Sequence, residues 1–250
     1  MSDYGDFACV YDLLTSEIDY EKRAEYFDQA ILRHGGFHGI LLDLGCGTGK
    51  LSEELSKLGY DVIGVDNSEE MLSAALEKKL RSGRDIIYLN QDMMELDLYG
   101  TVDAAVSALD SLNHLTDYDD FCTALEKVSL FLHPDGVFVF DVNTCYKHRE
   151  ILADNTFVYD YGDVYCAWQN SHRENDVIQM DLDIFVSEDG ENYLRMEDHF
   201  AERAYSEKQI GEALRKAGLE IQAIYGEDTF EPPQEDEQRL IYVVKHCKKK

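Results

Sequence analysis

The chain has 250 residues, 44% of them hydrophobic and only three of them proline, which suits one packed domain or a domain with an insert and argues against disorder. Its 51 Asp and Glu stand against 23 Lys and Arg, and the resulting net charge of −28 repels nucleic-acid backbones and anionic lipid. No apolar run approaches the roughly 18 residues a spanning helix needs, no signal peptide is expected, and six cysteines without CxxC or metal-like spacing to His suggest free thiols, a cytoplasmic setting and no metal site.

Residues 1–16 carry Tyr4, Phe7, Tyr11, Leu13 and Leu14 in a polar background, so this segment is not a free tail. Helical spacing from Tyr20 to Leu32 turns Tyr26, Phe27, Ala30 and Ile31 inward, and His34-Gly-Gly36 ends it. Next comes Ile40-Leu-Leu-Asp-Leu-Gly-Cys-Gly-Thr-Gly-Lys50, an aliphatic run that meets Asp43 and then three glycines at alternate positions. The run reads as a buried parallel strand, followed by a helix with Leu51, Leu55 and Leu58 on one face and Gly59 as its stop. Gly45, Gly47 and Gly49 make the tight turn between the two and let a ligand lie against the backbone. A ligand held between strand end and helix start is the nucleotide-type site of doubly wound α/β sheets. The spacing is neither the G-x-G-x-x-G of dinucleotide binders nor the phosphate P-loop, which needs Gly and Ser/Thr where Leu44 and Leu51 stand.

Asp61–Val65 predicts a second strand that ends at Asp66, where a carboxylate can accept from both ribose hydroxyls of a nucleoside. Asn67 or Ser68 caps a helix with Met71, Leu72, Ala75, Leu76 and Leu80 inward. Asp85–Asn90 is the third strand and leads into Gln91-Asp92-Met93; Val102–Ala108 is the fourth and leads into Leu109-Asp-Ser-Leu-Asn-His114. A fourth strand in such a sheet ends over the ligand crevice, so Asp110 and His114 face the ligand. His114 is the best-placed candidate base there, against the plainer alternative of an ordinary loop histidine. A helix over Tyr118–Leu132, with Phe121, Leu125, Val128 and Phe131 or Leu132 inward, passes through His133-Pro-Asp-Gly136 into strand five, Val137–Asp141.

Between Glu150 and Glu202 period-2 alternation replaces helical spacing, over Phe157–Tyr161, Val164–Gln169, Val177–Val186 and Tyr193–Phe200, with turns at Arg173–Asp176 and Ser187–Gly190. This predicts a small antiparallel sheet, rich in acids, whose aromatics form its own core with a few left to line a pocket where cation–π attraction favours amines. Ser206–Ile210 opens a last helix with a capping-box pattern and Ile210, Leu214 and Ala217 inward; Leu219–Tyr225 and Arg239–Lys245 close the main sheet. The expected fold is α/β: a Rossmann-like, seven-stranded, mostly parallel, doubly wound sheet with an antiparallel insert. Its expected parts are a helical lid at 1–36, a core at 37–149 and 203–250, and the insert at 150–202 on the substrate side.

Taken together these pieces resemble the class I S-adenosylmethionine (SAM) dependent methyltransferases, in particular small bacterial members with an antiparallel insert after strand five. Asp43-x-Gly-x-Gly-x-Gly49 matches the first motif and Val65-Asp-Asn-Ser-x-x-Met-Leu72 the second; Asp92-Met93 and Pro134-Asp-Gly136 stand where the later ones do. The resemblance covers residues 37–145 by motif and about 206–247 by pattern only, and it does not place the insert. It implies SAM as cofactor, held by Asp43, Gly45, Gly47, Gly49, Asp66, Asn67 and Met71. Asp92 would accept from the adenine amine, the Met93 N–H would reach a ring nitrogen, and the loop at Asp110 would hold the methionine ammonium. Tyr11 would pack near the sulfonium or the substrate, or else simply pin the N-terminus. The implied activity is in-line methyl transfer to N or O of a small-molecule acceptor, with no nucleic-acid or membrane partner and an open oligomeric state. A protein (less readily RNA) acceptor, or a SAM-binding regulatory module without turnover, are the alternatives. Because the donor is already activated, the protein mainly holds two reactants close and dry, and needs a base only where the nucleophile arrives protonated.

Overall fold

The computed structural model describes residues 5–187 and 189–247; Tyr4, the Phe7 side chain and Lys248–Lys250 lie outside the described residues. Two helices, α1 (Gly5–Leu14) and α2 (Tyr20–Arg33), precede an alternation of strands and helices. These are β1 (Ile40–Leu44), α3 (Lys50–Lys57), β2 (Asp61–Asp66), α4 (Glu69–Ser82), β3 (Ile87–Asn90), β4 (Val102–Ser107), α5 (Tyr118–Phe131) and β5 (Leu132–Asn143). The insert contributes β6 (Thr156–Asp160), β7 (Val164–His172), β8 (Val177–Val186) and β9 (Leu194–Arg203), and the chain returns through α6 (Glu207–Lys216), β10 (Leu219–Gly226) and β11 (Arg239–His246).

The main sheet has seven strands in the order β10-β11-β5-β4-β1-β2-β3, and β11 alone runs against the other six. Chain direction across the sheet reverses between β1 and β4, and a crevice opens beyond the carboxyl ends of those two strands. Alternate residues of the central strands face opposite layers. Leu42, Ala105, Phe138, Phe140 and Tyr242 pack under α5 and α6, while Leu41, Ala104, Val137, Val139 and Ile241 pack under α2 and α3. Both faces of these strands are covered, which is why they read as unbroken apolar runs. The capping box predicted at α6 is present, with Ser206 accepting from the Gln209 N–H and Gln209 accepting from the Ser206 N–H.

The insert is a separate four-stranded antiparallel sheet, β6-β7-β8-β9. Val164, Cys166, Ile178, Met180, Leu182 and Ile184 form its buried face, and Val10 of α1 and Leu152 pack on it. Its core is therefore largely aliphatic. The aromatics Phe157, Tyr159, Tyr161 and Trp168 are only partly buried at its edge, and Tyr193 stands exposed. The sheet also extends beyond its predicted strands, β7 to His172 and β9 to Arg203, because Ile178 and Val177 pair with those residues.

Two helix faces differ from their predicted ones. On α4, Leu72 and Ala75 are buried but Leu76 and Leu80 are 47% and 81% exposed. This helix covers β2 and β3, the edge of the sheet, so its apolar stripe reaches past the surface available to it. On α6, Ala213 is fully buried while Ala217 is only partly so. Among the described residues no helix is long and apolar enough to cross a membrane, no group of His, Cys, Asp and Glu is arranged to hold a metal ion, and Cys46, Cys122, Cys145, Cys166 and Cys247 are free thiols.

The packing makes Phe140 a keystone: it is fully buried, with Phe138 and Tyr242 stacked on it at 4.9 and 5.1 Å between ring centroids. Phe140→Ala should lower unfolding free energy by about 3–5 kcal/mol, read from urea midpoints at unchanged slope.

Candidate functional site

The turn after β1 is built from backbone that side chains resist. Gly45, Gly47 and Gly49 have φ of 74°, 51° and 75°, the left-handed region that glycine enters without steric cost. The amides of Gly45 and Cys46 both donate to the Val65 carbonyl at 2.8 and 3.0 Å, which ties the turn to β2. The three glycines then divide by surroundings. A Cβ on Gly45 would stand 2.6 Å from Ser111 Cβ, and one on Gly49 would stand 2.9 Å from Ala75 Cβ, whereas one on Gly47 would meet nothing within 4 Å. Gly45 and Gly49 are therefore packing glycines. Gly47 leaves open space at the crevice.

That crevice is lined by Tyr11, Tyr20, Asp43, Gly45, Gly47 and Leu109, among others. Asp66 joins it from the end of β2, its carboxylate accepting from the Gly47 N–H at 2.8 Å and the Ser68 N–H at 2.9 Å. Asn67 is exposed beside it, and the Met71 N–H, in the first turn of α4, donates to the capping Ser68 hydroxyl at 3.2 Å. Asp92 accepts from the Met94 N–H at 2.8 Å, and the Met93 side chain lies against the core, its Cε within 3.8 Å of where a Gly45 Cβ would be. Asp43 points under the turn, fully enclosed, and accepts from the Ser52 hydroxyl at 2.5 Å. Burial pushes its pKa up to about 7 against that hydrogen bond, and the Asp66 charge adds to the rise. Burial also pushes the Tyr11 hydroxyl far above its ordinary range, with Tyr20, Asp110, Asp66 and Asp12 adding to it.

A latch that the sequence reading missed holds α1 over this crevice. Asp12 accepts from the Thr48 hydroxyl at 2.6 Å, its carbonyl accepts from Lys50 Nζ at 2.8 Å, and Lys78 Nζ lies 2.7 Å from its other carboxylate oxygen. One acidic side chain thus joins the N-terminal helix to the glycine turn and to α4.

The loop after β4 is strained. Leu109 and Asp110 have φ of 56° and 59°, consecutive left-handed positions that cost on the order of 1–3 kcal/mol each outside glycine. Asp141, at the end of β5 and fully buried, holds them. Its two oxygens accept from the Leu109 N–H at 2.8 Å, the Asp110 N–H at 2.7 Å, Arg239 Nη1 at 2.6 Å and Arg23 Nη1 at 3.4 Å. Glu227 lies 3.3 and 3.2 Å from the same two guanidinium groups. Asn113, also fully buried, closes the loop by donating to the Arg203 carbonyl at 2.8 Å and accepting from the Asn143 N–H at 2.9 Å. Of these residues only Arg23 left a readable signal, an arginine on the apolar face of α2.

Beyond the loop lies a polar wall. Asn143 Nδ2 donates to Asp110 at 2.6 Å and to Glu202, from β9, at 3.0 Å, while its oxygen accepts from Lys147 Nζ at 2.8 Å. His114 stands 3.8 Å from Glu202 on one side and His148 stands 3.8 Å from it on the other. Burial raises Glu202 to about 8, reinforced by the Asp110 charge and opposed by the Asn143 hydrogen bond, Lys147 and Arg239. Burial would raise Asp110 too, but Arg239, Lys147, His114 and the Asn143 hydrogen bond outweigh it and hold this carboxyl well below its ordinary range. His114 is 48% exposed yet walled by protein on several sides, and the lost hydration lowers its pKa against the raising charges of Asp110, Asp66 and Asp198. The wall thus pairs a carboxyl that stays ionised with one that keeps its proton near neutrality, a separation that suits acid–base work.

A family description, "Methyltransferase domain", matches residues 41–136. The chain is 32% identical to the "Putative methyltransferase YqeM" of Bacillus subtilis, over 98% of each chain. It is 26% identical to a Streptomyces fradiae protein named dTDP-3-amino-3,6-dideoxy-alpha-D-glucopyranose N,N-dimethyltransferase, over 90% of this chain and 88% of that one. A crystal structure of an S-adenosylmethionine-dependent methyltransferase from Clostridium acetobutylicum superposes with a TM-score of 0.89 at 32% identity, covering 98% of this chain and 99% of the other.

The buried Asp43 generates a pH dependence with a definite sign. With its folded pKa near 7 and an ordinary value in the unfolded chain, the folded state binds more proton between the two, so its contribution is greatest at low pH and is lost as pH rises to about 7. Ligand-free wild type, compared with Asp43→Asn, should lose on the order of 1 kcal/mol per pH unit between about pH 5 and pH 7 in urea denaturation. Parallel curves for the two proteins would contradict this.

Proposed function

Because the chain belongs to the S-adenosylmethionine-dependent methyltransferases, we propose that it transfers the methyl group of SAM to nitrogen, or to oxygen, of a small-molecule acceptor. The observation that carries the cofactor's place is the open space over Gly47 beside the Asp66 carboxylate, which receives the Gly47 N–H at 2.8 Å. Each oxygen of that carboxylate keeps a lone pair free for a ribose hydroxyl. Bound there, SAM supplies a methyl group on a sulfonium. The residues present fit it. Asp66 would take the ribose, Asp92 and Met93 the adenine, Asp43 and the loop at Asp110 the methionine portion, and Tyr11 under the Asp12 latch would keep water out.

The acceptor belongs on the other side of the loop, against the polar wall and the insert. Charge favours a neutral or cationic molecule, since the insert carries many acids and, of Lys and Arg, only Arg173 and Arg195. The amino-sugar relative supports nitrogen as the accepting atom. An amine arrives protonated at neutral pH and must lose that proton before it can attack, and His114 is the group with the exposure and the lowered pKa to take it. The free thiols support a reducing, cytoplasmic setting.

Thermal shift should show stabilisation by SAM and S-adenosylhomocysteine and none by NAD; stabilisation by NAD alone would end this reading. Asp66→Ala should weaken SAM binding about 10- to 100-fold, the loss of charge-assisted hydrogen bonds to two hydroxyls. Methyl-labelled SAM offered with a metabolite extract should label small amines, and His114→Asn should slow that labelling about 100-fold. Label appearing in a protein extract instead would favour a protein acceptor, and label in neither would favour a module without turnover.

A further inference from the structure

Glu202 is more deeply enclosed than any role in cofactor binding requires. It is 5% exposed, and each of its oxygens looks at an imidazole nitrogen. Behind it, His148 Nδ1 lies 2.8 Å from the Asp176 carbonyl oxygen, which can only accept, so Nδ1 carries the hydrogen. The Nε2 lone pair of His148 therefore points toward Glu202 Oε2 across 3.8 Å, fully buried and without a hydrogen-bond partner. Two acceptors facing each other in a dry corner leave room for one further proton. In front, His114 Nε2 stands 3.8 Å from Glu202 Oε1, and its imidazole, unlike that of His148, is half exposed.

We propose that Glu202 is a positioning residue for His114: its carboxyl group holds the Nε2 side of the imidazole, leaving Nδ1 as the base that receives a proton from an acceptor amine arriving as an ammonium ion. This rests on the reading of His114 given above. The acceptor's N–H bond breaks, its electron pair stays on nitrogen for attack on the methyl group, and the proton passes to Nδ1. The imidazolium is then stabilised by Glu202, and the pair returns the proton to solvent when product leaves. Because lost hydration lowers the proton affinity of His114, this transfer runs uphill, and the Glu202 oxygen 3.8 Å from Nε2 offsets part of that cost. The charged groups acting on the pair are Asp66 at the end of β2, Asp110 from the β4 loop, Lys147 and His148 from the turn after β5, Asp198 from β9, and Arg239 from β11. Lys147 and Arg239 oppose the rise in Glu202, Asp110 promotes it, and Asp198 acts on His114.

The test is nitrogen-15 histidine NMR on the full chain saturated with S-adenosylhomocysteine, which needs no acceptor, titrated from about pH 5 to about pH 9.5. In wild type the His114 ring should carry its hydrogen on Nε2 and respond in two steps, one below the ordinary imidazole value and one near 8 as the pair gives up its proton. Glu202→Gln should abolish the upper step and the tautomer preference, whereas Asp198→Asn should keep both. An identical His114 titration and tautomer in wild type and Glu202→Gln would overturn the proposal. Should that variant fail to fold, Glu202→Asp, which draws the carboxylate back by one methylene, should shift the upper step, and an unmoved step would overturn the proposal equally. Failure to take up S-adenosylhomocysteine overturns the cofactor reading itself, so the two failures are told apart in one sample.

Discussion

Four hydrogen-bond donors converge on the two oxygens of Asp141 at a point water does not reach, and the geometry of the crevice hangs on that convergence. A buried carboxylate is costly unless it is fully paired, and removing one partner of such a pair costs about 3–5 kcal/mol because the other charge is left alone. Here the partners come from three places in the chain: Arg23 on α2, the Leu109 and Asp110 amides after β4, and Arg239 at the start of β11. The charge-assisted bonds to the two amides offset the strain of consecutive left-handed residues. The same residue that shapes the loop therefore also ties α2 and the last strand to the centre of the sheet.

Downstream of that point the acids take separate duties according to what surrounds them. Asp66 at the rim stays open to solvent on one side and presents lone pairs. Asp110, beside Arg239 and Lys147, remains ionised. Asp43 and Glu202 lie in apolar or crowded corners and hold protons toward neutrality. A chain with so large an excess of acid thus separates its carboxylates by desolvation and by the placement of a few cations, and gains sites of different proton affinity.

The main sheet was legible because its signals are local. Aliphatic runs, glycine turns and caps each occupy a few adjacent residues, and alternating strands and helices mark a doubly wound parallel sheet. The glycine turn was legible for the same reason, though only the space around each residue separates Gly47 from Gly45 and Gly49. What stayed hidden is what joins distant segments. Asp12 with Lys78, Asp141 with Arg239, and His114 with Glu202 are partners whose spacing in the chain carries no pattern, so that His114 is legible as a candidate base but its partner Glu202 is not. Leu76 and Leu80 show the converse error: their helical spacing is sound, but periodicity cannot tell that a helix has run past the edge of the sheet it covers.

The most direct measurement is amide hydrogen exchange at Leu109 and Asp110, compared between wild type and Asp141→Asn. The carboxamide offers one acceptor where the carboxylate offers two and turns a donor toward donors. The account predicts that both amides are protected in wild type and exchange freely in the variant, while the amide of Val139 in the middle of β5 stays protected in both. Equal protection of Leu109 and Asp110 in the two proteins would contradict it.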